Sequence, residues 1–145
     1  MNDNPVPANS ARLSIMVIDD EPIVCKRLQS AFLKAGYRVE AFTDSAAALA
    51  RLMDEPFDAI VTDLKMEGTD GIQVLTDAKR RHPQIQVVVI TGFATMETAK
   101  ESFHQGAFDF VAKPFKLSDI LDCIKRIENR IRPAGQEGRA QPSTV

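Results

Sequence analysis

The ten residues from Phe57 to Met66, FDAIVTDLKM, decide the fold that this sequence predicts. At their centre, residues 59–61 form a short apolar and partly β-branched run, which predicts a buried strand. The strand ends at the carboxylate of Asp63, and Gly68 and Gly71 soon follow, which predicts a turn. A strand that ends in an acid before a glycine-bearing loop would place a nucleophile or a metal ligand at the edge of a sheet.

The same alternation of strand and helix extends along the whole chain. Apolar runs at 15–18 and 85–90 predict strands buried on both faces, and residues 108–111 predict a short fifth strand. Residues 37–42 alternate apolar and polar side chains, which is typical of a strand at the edge of a sheet. Helical patterns follow the five strands, over about 22–35, 45–54, 71–82, 95–105 and 117–131.

Strict alternation of strands and helices predicts an α/β fold with parallel strands, right-handed connections and helices on both faces. The edge pattern of the second strand and the weakness of the fifth favour a five-stranded sheet of order 2-1-3-4-5. This is the doubly wound (βα)5 arrangement of flavodoxin-like proteins, in which strands one and three lie side by side at the topological switch point.

Four of the five predicted strands end in a polar side chain. Asp19 and Asp20 follow the first strand, Asp63 ends the third, Thr91 the fourth and Lys113 the fifth. These carboxyl ends meet at one edge of the sheet, where two carboxylates ~4 Å apart repel by about 4 kcal/mol at an effective dielectric near 20. Three ionised acids therefore require a bound cation or a raised pKa. Oxygen ligands without His or Cys predict Mg²⁺, and the added hydroxyl and ammonium predict a phosphate-handling site.

Composition excludes several other classes of protein. The chain has 145 residues and a net charge of −2, with no basic footprint for nucleic acid and no apolar run long enough to cross a membrane. Cys25 and Cys123 lack metal-ligand spacing, so we expect free thiols and a cytoplasmic protein. We expect one domain over 13–132, a disordered leader over 1–12, and over 133–145 either a disordered tail or the start of a linker.

In order and position, these motifs resemble the receiver (CheY-like) domain of two-component response regulators. The resemblance covers roughly residues 13–132. It is carried by the motifs VIDDE at 17–21, VTDLKM at 61–66, DG at 70–71, ITG at 90–92 and KPF at 113–115.

This resemblance implies a phosphoacceptor rather than an enzyme, with a Mg²⁺-dependent reaction that can include self-catalysed phosphorylation and dephosphorylation. Asp63 would accept a phosphoryl group from a histidine kinase or a phosphotransfer protein, and Lys113 would pair with a phosphoryl oxygen. Asp19, Asp20, Asp63 and the backbone carbonyl of Lys65 would hold the metal.

The resemblance also implies a conformational switch. Thr91 would turn towards the phosphoryl group and Phe110 would move inward, which reshapes the face formed by the fourth helix, fifth strand and fifth helix. A homodimer on phosphorylation is compatible with this scheme. The output partner or fused output domain is not specified, and neither nucleic acid nor membrane is expected to bind this domain itself.

Three further positions carry expectations of their own. Glu67 stands where the family usually has proline, which predicts a looser loop after Asp63 and an added anion near the pocket. Lys65 and Phe93 stand where the family tunes hydrolysis of the acyl phosphate, and we expect Phe93 to shield it and lengthen its lifetime. His82 and His104 are assigned no phosphotransfer role.

Other functions compatible with an acidic α/β site stay open at this point. A haloacid-dehalogenase-type phosphatase also uses an aspartate nucleophile, but it carries Asp-x-Asp on its first strand, whereas Asp19 and Asp20 are adjacent. A flavodoxin-like FMN binder would need a Ser/Thr/Gly phosphate loop where this chain is acidic. The chain could also be an N-terminal receiver fragment of a larger transcriptional regulator.

Overall fold

The computed structural model describes residues 12–66 and 69–132. The predicted leader, apart from Arg12, and the predicted tail at 133–145 lie outside the described residues, as does Glu67. The described elements, in chain order, are β1 (Ser14–Ile18), α1 (Pro22–Lys34), β2 (Arg38–Phe42), α2 (Ser45–Asp54), β3 (Ala59–Asp63), β4 (Lys65–Met66), β5 (Thr69–Asp70), α3 (Gly71–Arg81), β6 (Gln86–Thr91), α4 (Met96–His104), β7 (Asp109–Ala112) and α5 (Leu117–Ile131).

Five parallel strands form one sheet in the order β2-β1-β3-β6-β7. Because β4 and β5 pair only with each other, this order is the predicted 2-1-3-4-5, and the predicted α/β fold is confirmed. The register pairs Ile18 with Thr62, Asp63 with Ile90 and Thr91 with Ala112. The ends of β1, β3, β6 and β7 therefore reach the same edge of the sheet.

The side chains of the central strands alternate between two separate hydrophobic cores, one on each face of the sheet. Ile15, Val17 and Val61 pack on one face with buried residues of α1 and α5. Met16, Ile18 and Ile60 pack on the other face with buried residues of α2 and α3. Because β1, β3 and β6 are buried on both faces, their positions are fixed by packing from above and below.

Local signals begin and end the helices close to the bounds that the sequence predicted. Asp44 caps α2 by accepting a hydrogen bond from the Ala46 N–H at 3.2 Å, and Asp70 caps α3 in the same way from Ile72 at 2.9 Å. Gly36 follows the end of α1 with φ +95°, a conformation that favours glycine. Among the described residues, no helix combines the length and apolar character needed to cross a bilayer.

The hairpin of β4 and β5 was not predicted, because two-residue strands are too short to produce a sequence period. It brings the chain back so that the Gly71 N–H donates to the Leu64 carbonyl at 2.7 Å. A Cβ atom at Gly71 would overlap the Asp63 carbonyl oxygen. Glycine is therefore required by close approach of backbone to backbone beside the candidate nucleophile.

Candidate functional site

Three predicted acids meet at the carboxyl edge of the sheet. Asp19 and Asp63 are buried, whereas Asp20 is exposed at the surface of the pocket. One carboxylate oxygen from each of the three lies within 4.8 Å of the others. The structure thus brings together the side chains that the sequence predicted to meet, and it gives the cluster one open side.

Backbone amides hold the two buried carboxylates in position. Oδ1 of Asp19 accepts a hydrogen bond from the Glu21 N–H at 2.8 Å, and Oδ1 of Asp63 accepts one from the Lys65 N–H at 3.2 Å. The backbone of Asp19 is itself tied to β2, because its N–H donates to the Phe42 carbonyl at 3.0 Å. Each carboxylate is therefore anchored through Oδ1, which leaves Oδ2 for the centre of the site.

Lys113 lies at that centre. Its backbone N–H donates to the Thr91 carbonyl at 2.7 Å, and its peptide bond to Pro114 is cis. Its Nζ atom is 2.9 Å from Oδ2 of Asp19, 3.1 Å from Oδ2 of Asp63 and 3.0 Å from Oε1 of Glu21. The contact with Glu21 was missed by the sequence analysis, although Glu21 directly follows the two predicted metal ligands.

Burial and charge shift the protonation of this centre. Burial raises the pKa of Asp19, as does the nearby Asp63 carboxylate, against the opposing effects of the Glu21 N–H and Lys113. Burial by itself would lower the pKa of Lys113, but its contacts with Asp19, Glu21 and Asp63 outweigh burial and raise it. Lys113 is therefore a permanent cation that compensates only part of the surrounding negative charge.

The donor set fits a magnesium ion. Ligands about 2.0–2.1 Å from Mg²⁺ in an octahedron lie roughly 2.9–4.2 Å from one another, which is compatible with three carboxylate oxygens that all lie within 4.8 Å of one another. Oδ2 of Asp19 is buried and accepts no hydrogen bond from a described residue, since Lys113 lies at ion-pair distance but outside hydrogen-bonding geometry. Asp19, Asp20, Asp63 and Lys113 together carry two net negative charges, which one divalent cation would balance.

The two predicted switch residues lie on adjacent strands. Thr91 is fully buried, and its Oγ1 accepts a hydrogen bond from the Phe93 N–H at 2.9 Å. In the strand register, Thr91 pairs with Ala112, and Phe110 pairs with Val89, two residues before Thr91. Since side chains two residues apart point to the same face, Thr91 and the half-buried Phe110 share one face of the sheet.

Lys65 and Phe93 form the exposed rim of the pocket. The Lys65 ammonium lies over the Phe93 ring, 5.8 Å from its centroid, which is cation–π distance. Phe93 is 62% exposed, so the ring is held more by this contact than by burial. Lys65 begins β4 just after β3, and Phe93 lies in the loop after β6, so the two residues approach each other from two sides of the site.

The cysteines and histidines belong to other parts of the structure. Cys25 and Cys123 are buried free thiols, and burial raises the pKa of both, to about 12 for Cys123. Cys25 donates from Sγ to the Asp19 carbonyl at 3.2 Å, directly behind the acid cluster. His82 and His104 lie at the ends of α3 and α4.

Comparison with known proteins agrees with this geometry. The family model described as the response regulator receiver domain matches residues 15–125. The DNA-binding transcriptional regulator NtrC of Escherichia coli (strain K12) is 30% identical over 112 residues, which are 77% of this chain and 24% of that protein. The transcriptional regulatory protein QseB of Haemophilus influenzae is 32% identical over 118 residues, 81% of this chain and 53% of that protein.

A solved structure gives the same picture of the fold. The CheY-like receiver domain protein from Methanospirillum hungatei JF-1 superimposes with a TM-score of 0.79 at 24% identity, covering 83% of this chain and 98% of that one. The present chain spans about a quarter of NtrC and about half of QseB. From the matched family model and the shared fold, the chain belongs to the response regulator receiver domain family, the phosphoacceptor module of two-component signal transduction.

Proposed function

We propose that Asp63 is the residue of this receiver that accepts the phosphoryl group. The observation that carries the proposal is the position of Oδ2 of Asp63, 3.1 Å from the Lys113 ammonium, while Oδ1 is held by the Lys65 N–H. One oxygen is thus oriented and the other faces a cation at the open edge of the sheet. A carboxylate in this position can attack phosphorus in line, with positioning and charge compensation providing the catalysis.

In the proposed reaction, a carboxylate oxygen of Asp63 forms the new bond to phosphorus as the bond to the donor breaks. The donor is a phosphohistidine of a histidine kinase or phosphotransfer protein; its imidazole nitrogen leaves with the electron pair of the P–N bond and takes up a proton from water. Lys113 pairs with one phosphoryl oxygen. Mg²⁺, held by Asp19, Asp20, Asp63 and the Lys65 carbonyl, supplies further charge neutralisation when bound. Self-catalysed phosphorylation from small donors and self-catalysed dephosphorylation belong to the same proposal.

Phosphorylation is proposed to act through Thr91 and Phe110. The Thr91 hydroxyl oxygen already accepts the Phe93 N–H, but its hydrogen can donate to a phosphoryl oxygen. A movement of Thr91 changes the space available to Phe110, which lies diagonally across from it on β7. The face formed by α4, β7 and α5 would then change shape. Phosphorylation drives this change only if it favours one of the two shapes over the other.

The partners are proposed from the same site. They are a histidine kinase or phosphotransfer protein upstream and an output protein or fused output domain downstream, with a homodimer on phosphorylation as a further form. The chain matches only part of the length of NtrC and QseB, which supports the alternative of a fused output domain, with this chain as the receiver part of a longer transcriptional regulator. Free buried thiols at Cys25 and Cys123 support the expected cytoplasmic location.

The proposal is tested by incubation with acetyl phosphate, with and without Mg²⁺, followed by intact-mass measurement. We expect a Mg²⁺-dependent phosphoryl adduct that is absent in Asp63→Asn. Asp58→Asn is the matched control, because Asp58 precedes the same strand at the opposite edge of the sheet, where it accepts the Ser14 N–H. A wild-type protein without adduct, or an adduct that persists in Asp63→Asn, would contradict the assignment of Asp63.

The same samples separate the rival functions. Continuous turnover of small phosphoesters would favour a haloacid-dehalogenase-type phosphatase, and a flavin absorbance in the purified protein would favour an FMN binder.

Mg²⁺ should also raise the melting temperature of the wild type, because a ligand that binds only the folded state stabilises it. This shift should shrink in Asp20→Asn, since Asp20 is the exposed member of the three-acid cluster.

A further inference from the structure

Lys113 is surrounded by more carboxylates than the proposed reaction requires. Asp19, Asp63 and Glu21 each place an oxygen within 3.1 Å of its Nζ atom. Among the described residues, Lys113 donates hydrogen bonds to Glu21 and Asp63, and the Asp19 oxygen lies at ion-pair distance, so three carboxylate oxygens already surround its Nζ atom. An incoming phosphoryl oxygen must therefore compete with one of these carboxylates for close contact with the ammonium.

The three carboxylates differ sharply in how easily they can leave. The side chains of Asp19 and Asp63 are 0% and 7% exposed, whereas that of Glu21 is 59% exposed. Asp19 and Asp63 are also anchored by backbone N–H groups. A displaced Glu21 carboxylate would be hydrated by solvent. A displaced buried carboxylate would lose its ion-pair partner and gain no hydration in return.

The backbone of Glu21 is fixed, whereas its side chain has Lys113 as its one polar partner among the described residues. Its N–H donates to Asp19, its carbonyl accepts from Val24 and Cys25, and Pro22 follows as the first residue of α1. Glu21 occupies the N-cap position of α1, yet its side chain makes no capping hydrogen bond. Instead it reaches across to Lys113, 92 positions away in sequence.

We propose that Glu21 is a displaceable latch on Lys113, whose carboxylate contacts the ammonium until a phosphoryl oxygen replaces it. The inference rests on the proposed phosphorylation of Asp63. Glu21 adds one negative charge beyond those that Lys113 and a divalent ion would balance. Small anionic phosphodonors must therefore displace Glu21 and approach it as a like charge, so the latch slows their reaction.

Two substitutions separate the contact from the charge. Glu21→Gln removes the charge and weakens the contact, whereas Glu21→Asp keeps the charge but is one methylene shorter and cannot hold Lys113 in the same way. Glu55→Gln is the matched control, because it removes one exposed negative charge at the end of α2, where Glu55 contacts Arg51. The measurements are the rate of phosphorylation by acetyl phosphate at saturating Mg²⁺ and the apparent affinity for beryllofluoride, a non-hydrolysable phosphoryl mimic.

We expect Glu21→Gln to increase both the rate and the affinity by about threefold to tenfold at low ionic strength, and Glu21→Asp to increase them by less. The gain of Glu21→Gln should fall as salt is added, because the charge is exposed and screened. Glu55→Gln should match the wild type.

Other outcomes overturn the latch in recognisable ways. A phosphorylation rate and a beryllofluoride affinity equal to those of the wild type in both Glu21 variants would show that Glu21 does not compete with phosphoryl oxygens for Lys113. A gain in Glu21→Gln with none in Glu21→Asp would assign the effect to charge alone and reject the contact. If the wild type and all variants take up neither phosphoryl nor beryllofluoride, the proposed function fails, and the latch fails with it.

Discussion

Helices α4 and α5 flank the same strand, β7, yet they are packed very differently. Helix α5 buries Ile120, Cys123, Ile124 and Ile127 against the sheet and α1. In α4, all of whose residues are described, Ser102 is the only buried residue, while Met96 and Phe103 are 80% and 48% exposed. A displacement of α4 therefore sacrifices little apolar burial, whereas a displacement of α5 would open the core.

The segments that follow β3 and β6 repeat this contrast. At the start of α3, Gly71 lies against the backbone of Asp63 and Leu64. After β6, a Cβ atom at Gly92 would meet nothing within 4 Å, and the next residue, Phe93, is mostly exposed. The comparison indicates a rigid side that fixes the candidate nucleophile and a loosely packed side that can respond to it.

The largest expected effect comes from truncating one side chain in each helix. Ile124→Ala should lower the free energy of unfolding by about 2–5 kcal/mol, because Ile124 is fully buried and its loss leaves a cavity. Phe103→Ala should change it by less than about 1 kcal/mol, because half of its side chain already faces water. Urea unfolding of both variants measures the difference, and equal losses would remove the contrast between the helices.

A smaller effect is expected from adding one methyl group to a glycine on each side of the site. Gly71→Ala should destabilise the protein by roughly 1–3 kcal/mol and slow phosphorylation, because its Cβ atom would overlap the backbone beside Asp63. Gly92→Ala should be tolerated within about 1 kcal/mol, since the space around it is open. Thermal melting and the acetyl phosphate rate test both variants. Full tolerance of Gly71→Ala would show that the segment between β3 and α3 is not rigid.

The smallest expected effect concerns the rim. Phe93→Ala should shorten the lifetime of the acyl phosphate by about twofold to fivefold, because we expect the ring, held against Lys65 by a cation–π contact worth about 0.5–1 kcal/mol at an exposed site, to shield the phosphoryl group. Intact-mass measurements of the phosphoryl adduct at successive times give the lifetime. Met96→Ala is the matched control, because Met96 is also apolar and exposed and lies three residues further along the chain. An unchanged lifetime in Phe93→Ala would contradict shielding.

Sequence patterns were sufficient for the sheet and for most of the acid cluster. The apolar runs ending in Asp19, Asp63 and Thr91 are local, and parallel strands necessarily bring such ends to one edge. The edge position of β2 followed from its alternating side chains, which need only one buried face. The hairpin of β4 and β5 could not be predicted, because four residues carry no period.

The sequence by itself determined which residues reach the carboxyl edge of the sheet, since strand length and alternation depend on neighbouring residues. Only the tertiary structure decided how Lys113 divides its charge among Asp19, Asp63 and Glu21, and which helix beside β7 is weakly buried. These features depend on side-chain directions and on packing between segments far apart in the chain, and short-range sequence patterns do not encode them.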